Sequence, residues 1–140
     1  TKGELLLIKA PELKLPIGIK AGLFVLPVGE NLYKVGATYE WEDKTSIPTE
    51  AAKQELVEKL AEIITCPYEI IDHYAGVRPT VKDRKPLIGT HHLHKNVHLL
   101  NGLGTRGVML APYMAKELLE SIETGVPVKR ENNLNRFPVS

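Results

Sequence analysis

The chain has little that would let cross-links or bulk charge explain it. A single cysteine, Cys66, stands among 140 residues. It cannot build an internal disulfide framework, so a reducing, cytoplasmic setting is expected. Lys and Arg number 18 against 17 Asp and Glu, a formal net charge of +1. That balance supplies no bulk attraction to nucleic acid or to an anionic membrane, and neither is expected as a partner. No apolar run approaches the roughly 18 residues of a membrane span. No basic stretch followed by an apolar one opens the chain, so no signal peptide is read. Internal repeats and low-complexity tracts are absent too. There is no initiator Met: the chain opens at Thr1 and enters the apolar run Leu5-Leu6-Leu7-Ile8 almost at once. A chain cut from a longer protein would begin that way.

What is present fits a folded domain. The 43% hydrophobic and 25% charged content is ordinary for a globular chain, and the length allows a real core. Strands are predicted over Leu5–Lys9, Ile17–Pro27 and Leu32–Trp41. In the third, Tyr33, Val35, Ala37, Tyr39 and Trp41 alternate with mostly polar neighbours, giving one apolar face. The turn Gly29-Glu30-Asn31 predicts an antiparallel hairpin. Thr49 is the predicted N-cap of a helix carrying Ala52, Leu56, Leu60, Ile63 and Ile64 inward. Strand character returns from Tyr68 to Val77 and ends at Arg78-Pro79. Pro86–Gly89 and Val97–Leu100 are short extended pieces. A helix over Val108–Thr124 is predicted to turn Ala111, Ala115, Leu118, Leu119 and Ile122 inward and to stop at Gly125. The tail from Lys129 is polar and without periodicity.

Few residues could carry chemistry. Gly102-Leu103-Gly104-Thr105-Arg106-Gly107 matches G-x-G-x-x-G between a strand and a helix. The rest of a dinucleotide fingerprint is missing, because no second strand ending in an acid follows at the needed distance. The motif reads either as a tight turn or as a helix N-terminus brought close to an electron-rich ligand. Arg78 shares a predicted strand face with Tyr74 and Gly76, which leaves room for a guanidinium to grip a carboxylate. The bland alternative pairs it with a structural acid such as Asp83. Arg106 reads as a second candidate or as a solvated loop residue. His91, His92, His94 and His98 do not follow a zinc spacing, so no metal is expected. His73 reads as a packing residue, and Cys66 as structural.

Taken in order, Ala75-Gly76-Val77-Arg78-Pro79-Thr80, Asp83, Pro86-Leu87-Ile88-Gly89, the run Asn101–Gly107 and Leu110-Ala111-Pro112 resemble the C-terminal part of the FAD-dependent D-amino-acid oxidase superfamily. The likeness is to its glycine oxidase and sarcosine oxidase branch. Leu26-Pro27 and Val35-Gly36-Ala37-Thr38 match the same branch, and the resemblance spans about residues 3–128. It implies an α+β fold: an antiparallel sheet with a flanking helix (residues 1–82, the substrate-binding domain), plus a C-terminal strand-turn-helix of the FAD-binding domain (residues 83–140). It implies a parent enzyme that oxidises a small amine or amino acid with FAD. The missing partner would be the N-terminal FAD-binding portion of the same chain. The 140 residues alone would be inactive and would not retain FAD.

By that resemblance Arg78 binds the substrate carboxylate and Arg106 lies near the substrate. Tyr39, after Gly-Ala-Thr, lines the active site. Phe24 replaces a tyrosine that could meet the carboxylate. Gly102, Gly104, Thr105, Arg106, Gly107, Val108 and Met109 sit at the pyrimidine edge of the flavin, where a helix N-terminus steadies negative charge. The Cys that carries covalent flavin in monomeric sarcosine oxidases has no counterpart between Asp83 and Pro86. Two other readings stand beside this one. The turn and Leu134-Asn135-Arg136-Phe137 also resemble the oxidoreductase half of a bifunctional tRNA wobble-uridine enzyme acting on a carboxymethylamino group. The chain could instead be a non-enzymatic anion-binding module. Separately, Val108, Ala111, Ala115 and Leu119 form a helix face whose exposure would drive a non-native dimer.

Overall fold

The computed structural model describes residues 1–137. Its Cα packing separates two compact units, Thr1–Val77 and Arg78–Ser140. The first is a five-stranded antiparallel sheet with one helix. Its strands are β1 (Lys2–Lys9), β2 (Ile19–Ala21), β3 (Leu23–Gly29), β4 (Leu32–Gly36) and β5 (Glu69–Val77), in the order β2-β3-β4-β1-β5. The β3–β4 hairpin turns at Glu30 and Asn31, with φ of 52° and 60°. Two successive left-handed residues match the twist of the flanking strands, as in a type I′ turn. The helix α1 (Glu50–Ala61) starts where the sequence places it: Thr49 Oγ1 accepts the Ala52 N–H at 3.3 Å. Leu56 and Leu60 of α1 pack on Leu6, Ile8, Val25, Tyr33 and Val35 of the sheet. Each such side chain contributes roughly 1.5–3 kcal/mol of burial.

The second unit holds a two-stranded antiparallel sheet, β6 (Leu87–Thr90) with β7 (His98–Asn101), and the helix α2 (Gly107–Thr124). Its core is Ile88, Met114, Leu118 and Val128. The α+β architecture expected from the sequence is therefore present, with an antiparallel sheet, a flanking helix and a strand-turn-helix.

Three local readings are corrected. Ile17–Pro27 is not one strand: it folds back at Gly22, pairing Ala21 with Leu23. Leu32–Trp41 stops as a strand at Gly36, and only Glu40 bridges again, to Lys2. On α2 the buried stripe is Met114–Leu118, while Leu119 and Ile122 stay 53% and 43% exposed and Ala115 is exposed as well. The helix carries two adjacent apolar stripes, and only the one facing Ile88 is covered. Beyond α2, the tail is held as far as it is described although its sequence has no periodicity. Asn133 bridges Ile88 in parallel, the Ile88 N–H bonds to Asn132 O at 2.8 Å, and Glu117 accepts from Asn132 and Lys129. Among the described residues, no helix is long and apolar enough to cross a membrane.

Candidate functional site

The sheet of the first unit has two unlike faces. Even positions of β1 point into the α1 core, and odd positions point away. On the far face the register sets Phe24 beside Gly36, Gly36 beside Leu5, and Leu5 beside Tyr74. A Cβ on Gly36 would stand 2.9 Å from Leu5 Cβ and 3.1 Å from the Phe24 ring, so the glycine lets the ring lie flat across the strand. Gly76 has open space over its Cα. Tyr74 is 42% exposed, and Asp72, bonded to its hydroxyl, pushes its pKa up. Phe24 is thus on a broad, partly apolar, accessible face. Tyr39 lies just beyond β4, 43% exposed, with its ring edge-to-face on Trp41 at 5.7 Å.

In the second unit two sequence motifs meet. The Gly104 N–H donates to Pro79 O at 3.1 Å, and Thr80 Oγ1 lies 3.7 Å from where a Gly104 Cβ would be. Arg78-Pro79-Thr80 is therefore laced to the glycine turn. The turn runs through Gly102 at φ 72°, then a 3-10 turn over Gly104–Arg106, and enters α2 directly. Arg106 is the N-cap residue and gives no side-chain capping bond. Val108 and Met109, in the first turn, are 99% and 69% exposed. The arrangement presents helix N–H groups and two arginine-bearing segments together, which suits an electron-rich ligand edge and a carboxylate.

The acid proposed as a structural partner for Arg78 is otherwise engaged. Both Asp83 oxygens accept from Arg136, at 2.7 and 2.9 Å. The Arg136 guanidinium holds Asp83 at about 2, against an ordinary value of 3.8. In the first unit Lys2 does the same to Asp43, also to about 2. The sign follows from linkage. These carboxylates stay charged in the folded chain after their unfolded counterparts have protonated, so their stabilisation is complete above about pH 5 and is lost toward about pH 2. The urea midpoint of Asp83→Asn should lie below that of the unsubstituted protein near neutrality and converge with it toward about pH 2. A gap that stayed constant across that range would contradict the pairing.

The histidines do local work. His91 Nδ1 accepts the N–H groups of Leu93 and His94 at 3.2 Å, and His98 Nδ1 is 2.9 Å from Thr90 Oγ1. Burial, then the neighbouring His92, lowers the His91 pKa. A concavity of about 1120 Å³ in the second unit, beside Lys85, Val128, Asn133 and Arg136, takes in neither Arg78 nor the turn. A cluster that sequence reasoning missed lies in the first unit. Lys2 and Glu4 are buried beside the half-buried His73, whose buried Nε2 lies 2.9 Å from Glu4 Oε2 but at no hydrogen-bonding angle. Strand alternation counted back from Leu6 would have put Glu4 and Lys2 on the buried face.

These features can be set beside known proteins. A family model described as FAD dependent oxidoreductase matches residues 1–121. Glycine oxidase of Pseudomonas putida is 29% identical over 132 residues, covering 91% of this chain and 36% of that protein. The tRNA 5-methylaminomethyl-2-thiouridine biosynthesis bifunctional protein MnmC of Maricaulis maris is 32% identical over 97 residues, covering 66% of this chain and 16% of that one. Among solved structures, glycine oxidase from Geobacillus kaustophilus superposes with a TM-score of 0.80 at 23% identity, over 99% of this chain and 39% of that one. The chain thus spans little more than a third of the glycine oxidases it resembles. With the family match running through most of its residues, the chain belongs to the FAD dependent oxidoreductase family.

Proposed function

We propose that these residues form the substrate-binding part, and one strand-turn-helix of the FAD-binding part, of a flavoenzyme that oxidises a small amine or amino acid. The boundary between the two parts falls near residue 82. The observation that carries the reading is the Gly104–Pro79 hydrogen bond, 3.1 Å long. It sets the carboxylate-gripping candidate Arg78 against the turn that suits an anionic cofactor edge.

The residues fit that cofactor in part. The first turn of α2, which begins at Gly107 and lacks a side-chain cap, offers its N–H groups to the pyrimidine edge of a flavin, with Val108 and Met109 in that turn and the glycine turn Gly102–Arg106 shaping the approach. When bound, FAD supplies the redox chemistry by accepting a hydride from the substrate. Arg78 orients the substrate by its carboxylate, Arg106 adds positive charge nearby, and Tyr39 and Phe24 shape the face over the reacting carbon. Nothing in the turn provides for the ADP half, so the 140 residues alone are expected to be inactive and colourless. The single cysteine suits a cytoplasmic setting.

The test uses the full-length protein. Purified with flavin and kept anaerobic, it should lose its visible flavin absorbance on addition of glycine, N-methylglycine or another small amino acid. Retained colour with every such compound would overturn the reading. The likeness to the tRNA-modifying protein, 32% identical over 97 residues, favours a second reading, in which the oxidised group is a carboxymethylamino substituent on a tRNA uridine. The near-neutral charge weighs against it. Filter binding of tRNA to the full-length protein separates the two.

A further inference from the structure

Two charged residues at the start of β1 are among the most deeply buried in the first unit: Lys2 is 1% exposed and Glu4 3%. A buried ammonium is costly unless its charge and its protons are met. Here they are met by a segment far away in the sequence. Lys2 Nζ lies 3.1 Å from Glu4 Oε1, donates to Asp43 Oδ2 at 2.6 Å, and also donates to the Ile47 carbonyl. Glu4 accepts from the Thr49 N–H at 2.8 Å and from Thr49 Oγ1 at 3.0 Å. Through the backbone, Lys2 N donates to Glu40 O at 2.8 Å, Glu40 N to Lys2 O at 2.9 Å, and Thr38 N to Glu4 O at 3.2 Å. The segment from Thr38 to Thr49 is therefore pinned along its length by Lys2 and Glu4.

Packing does not hold that segment in place. Residues 41–48 form neither helix nor strand, and Trp41 and Ile47 are 48% and 68% exposed. The Tyr39–Trp41 ring pair stands where the segment begins. A buried ion pair is seldom worth more than apolar residues of the same size, but its directed bonds specify one geometry. The pair stays ionised, since Lys2 holds Asp43 at about 2 and the same hydrogen bond raises Lys2.

We propose that Lys2 is a positioning residue for substrate binding: its buried ammonium fixes the 41–48 loop and, through Trp41, sets the Tyr39 ring. This rests on the reading of Tyr39 as a substrate-facing residue. The experiment compares Lys2→Met, Lys2→Arg, Asp43→Asn, Tyr39→Ala and Lys2→Met/Tyr39→Ala in the full-length protein. Hydrogen exchange is followed over 38–49 and kinetics on the best amino-acid substrate. Lys2→Met should lose exchange protection over 41–48 while the β3–β4 hairpin keeps its own, and should raise KM about three- to tenfold, the scale of one aromatic edge contact, with kcat nearly unchanged. Lys2→Arg should keep both properties. Asp43→Asn removes the loop's carboxylate without stripping Glu4 of its partner, so it should reproduce the effect if Lys2→Met folds poorly. In the Tyr39→Ala background the further change in KM should be under about twofold. Unchanged protection in both Lys2→Met and Asp43→Asn overturns the proposal, as does an equal KM effect with and without Tyr39. If Tyr39→Ala itself leaves KM unchanged, the substrate-facing reading fails instead, and loop exchange alone then judges the clamp.

Discussion

In the full-length protein, Arg78→Met is expected to raise KM for amino-acid substrates about a hundredfold, with a smaller fall in kcat. Two charge-assisted hydrogen bonds from a planar guanidinium to a carboxylate account for that scale. The residue follows directly on β5, whose last residue, Val77, pairs with Lys2, so the chain enters it from a paired strand. On the other side Gly104 holds Pro79. Methionine keeps the length and the packing while removing the charge. Lysine should restore only a fraction, because a point charge does not reproduce the fork. The control is an amine without a carboxylate, whose oxidation should hardly change. An unchanged KM for amino acids would sink the assignment of Arg78, and an equal loss with the carboxylate-free amine would make its role structural.

Much of this arrangement was legible in the residues, and the rest was hidden for identifiable reasons. Glu30-Asn31, Thr49 and Gly125 declare themselves because a turn, an N-cap and a left-handed helix stop each depend on one or two neighbouring residues. The order of Arg78-Pro79 and the glycine turn pointed to one site, although only the fold shows Gly104 bonding Pro79. Other features depend on partners far along the chain. Alternation places Lys2 on the buried face of β1, but the partners that meet its charge, Asp43 and Ile47, lie more than forty residues away and only the fold brings them to it. The pattern of α2 turned Leu119 and Ile122 inward, because the stripe they belong to is as apolar as its neighbour, and the position of Ile88 selects the Met114 stripe instead. The tail looked formless because its order comes from single bonds, Asn132 O to the Ile88 N–H and Arg136 to Asp83, which leave no periodicity.

The glycine turn offers a second large effect, and one that separates shape from backbone freedom. Gly102 and Gly125 have nearly the same left-handed φ, 72° and 74°. Alanine at either must accept that conformation, at about 1–2 kcal/mol. Their surroundings differ. Around Gly125 a Cβ would meet nothing within 4 Å, whereas at Gly102 it would stand 3.1 Å from Leu87 N and 3.2 Å from Lys85 O. Both are backbone atoms of the segment leading into β6, and they cannot swing aside as a side-chain end would. Overpacking of that kind adds about 1–3 kcal/mol. Gly102→Ala should therefore cost about 2–5 kcal/mol in all, with Gly125→Ala near the lower bound. Thermal melts of the two variants beside the unsubstituted protein measure the difference, with Gly102→Ala melting about 6 °C or more below the unsubstituted protein and below Gly125→Ala. Equal shifts would mean that the turn yields and the close approach at Gly102 carries no weight. The same variant tests the cofactor reading from another side. A turn displaced from Leu87 carries the start of α2 with it, so in the full-length protein Gly102→Ala should also purify with less flavin than Gly125→Ala. Full flavin content in a destabilised Gly102→Ala would uncouple the turn from the cofactor.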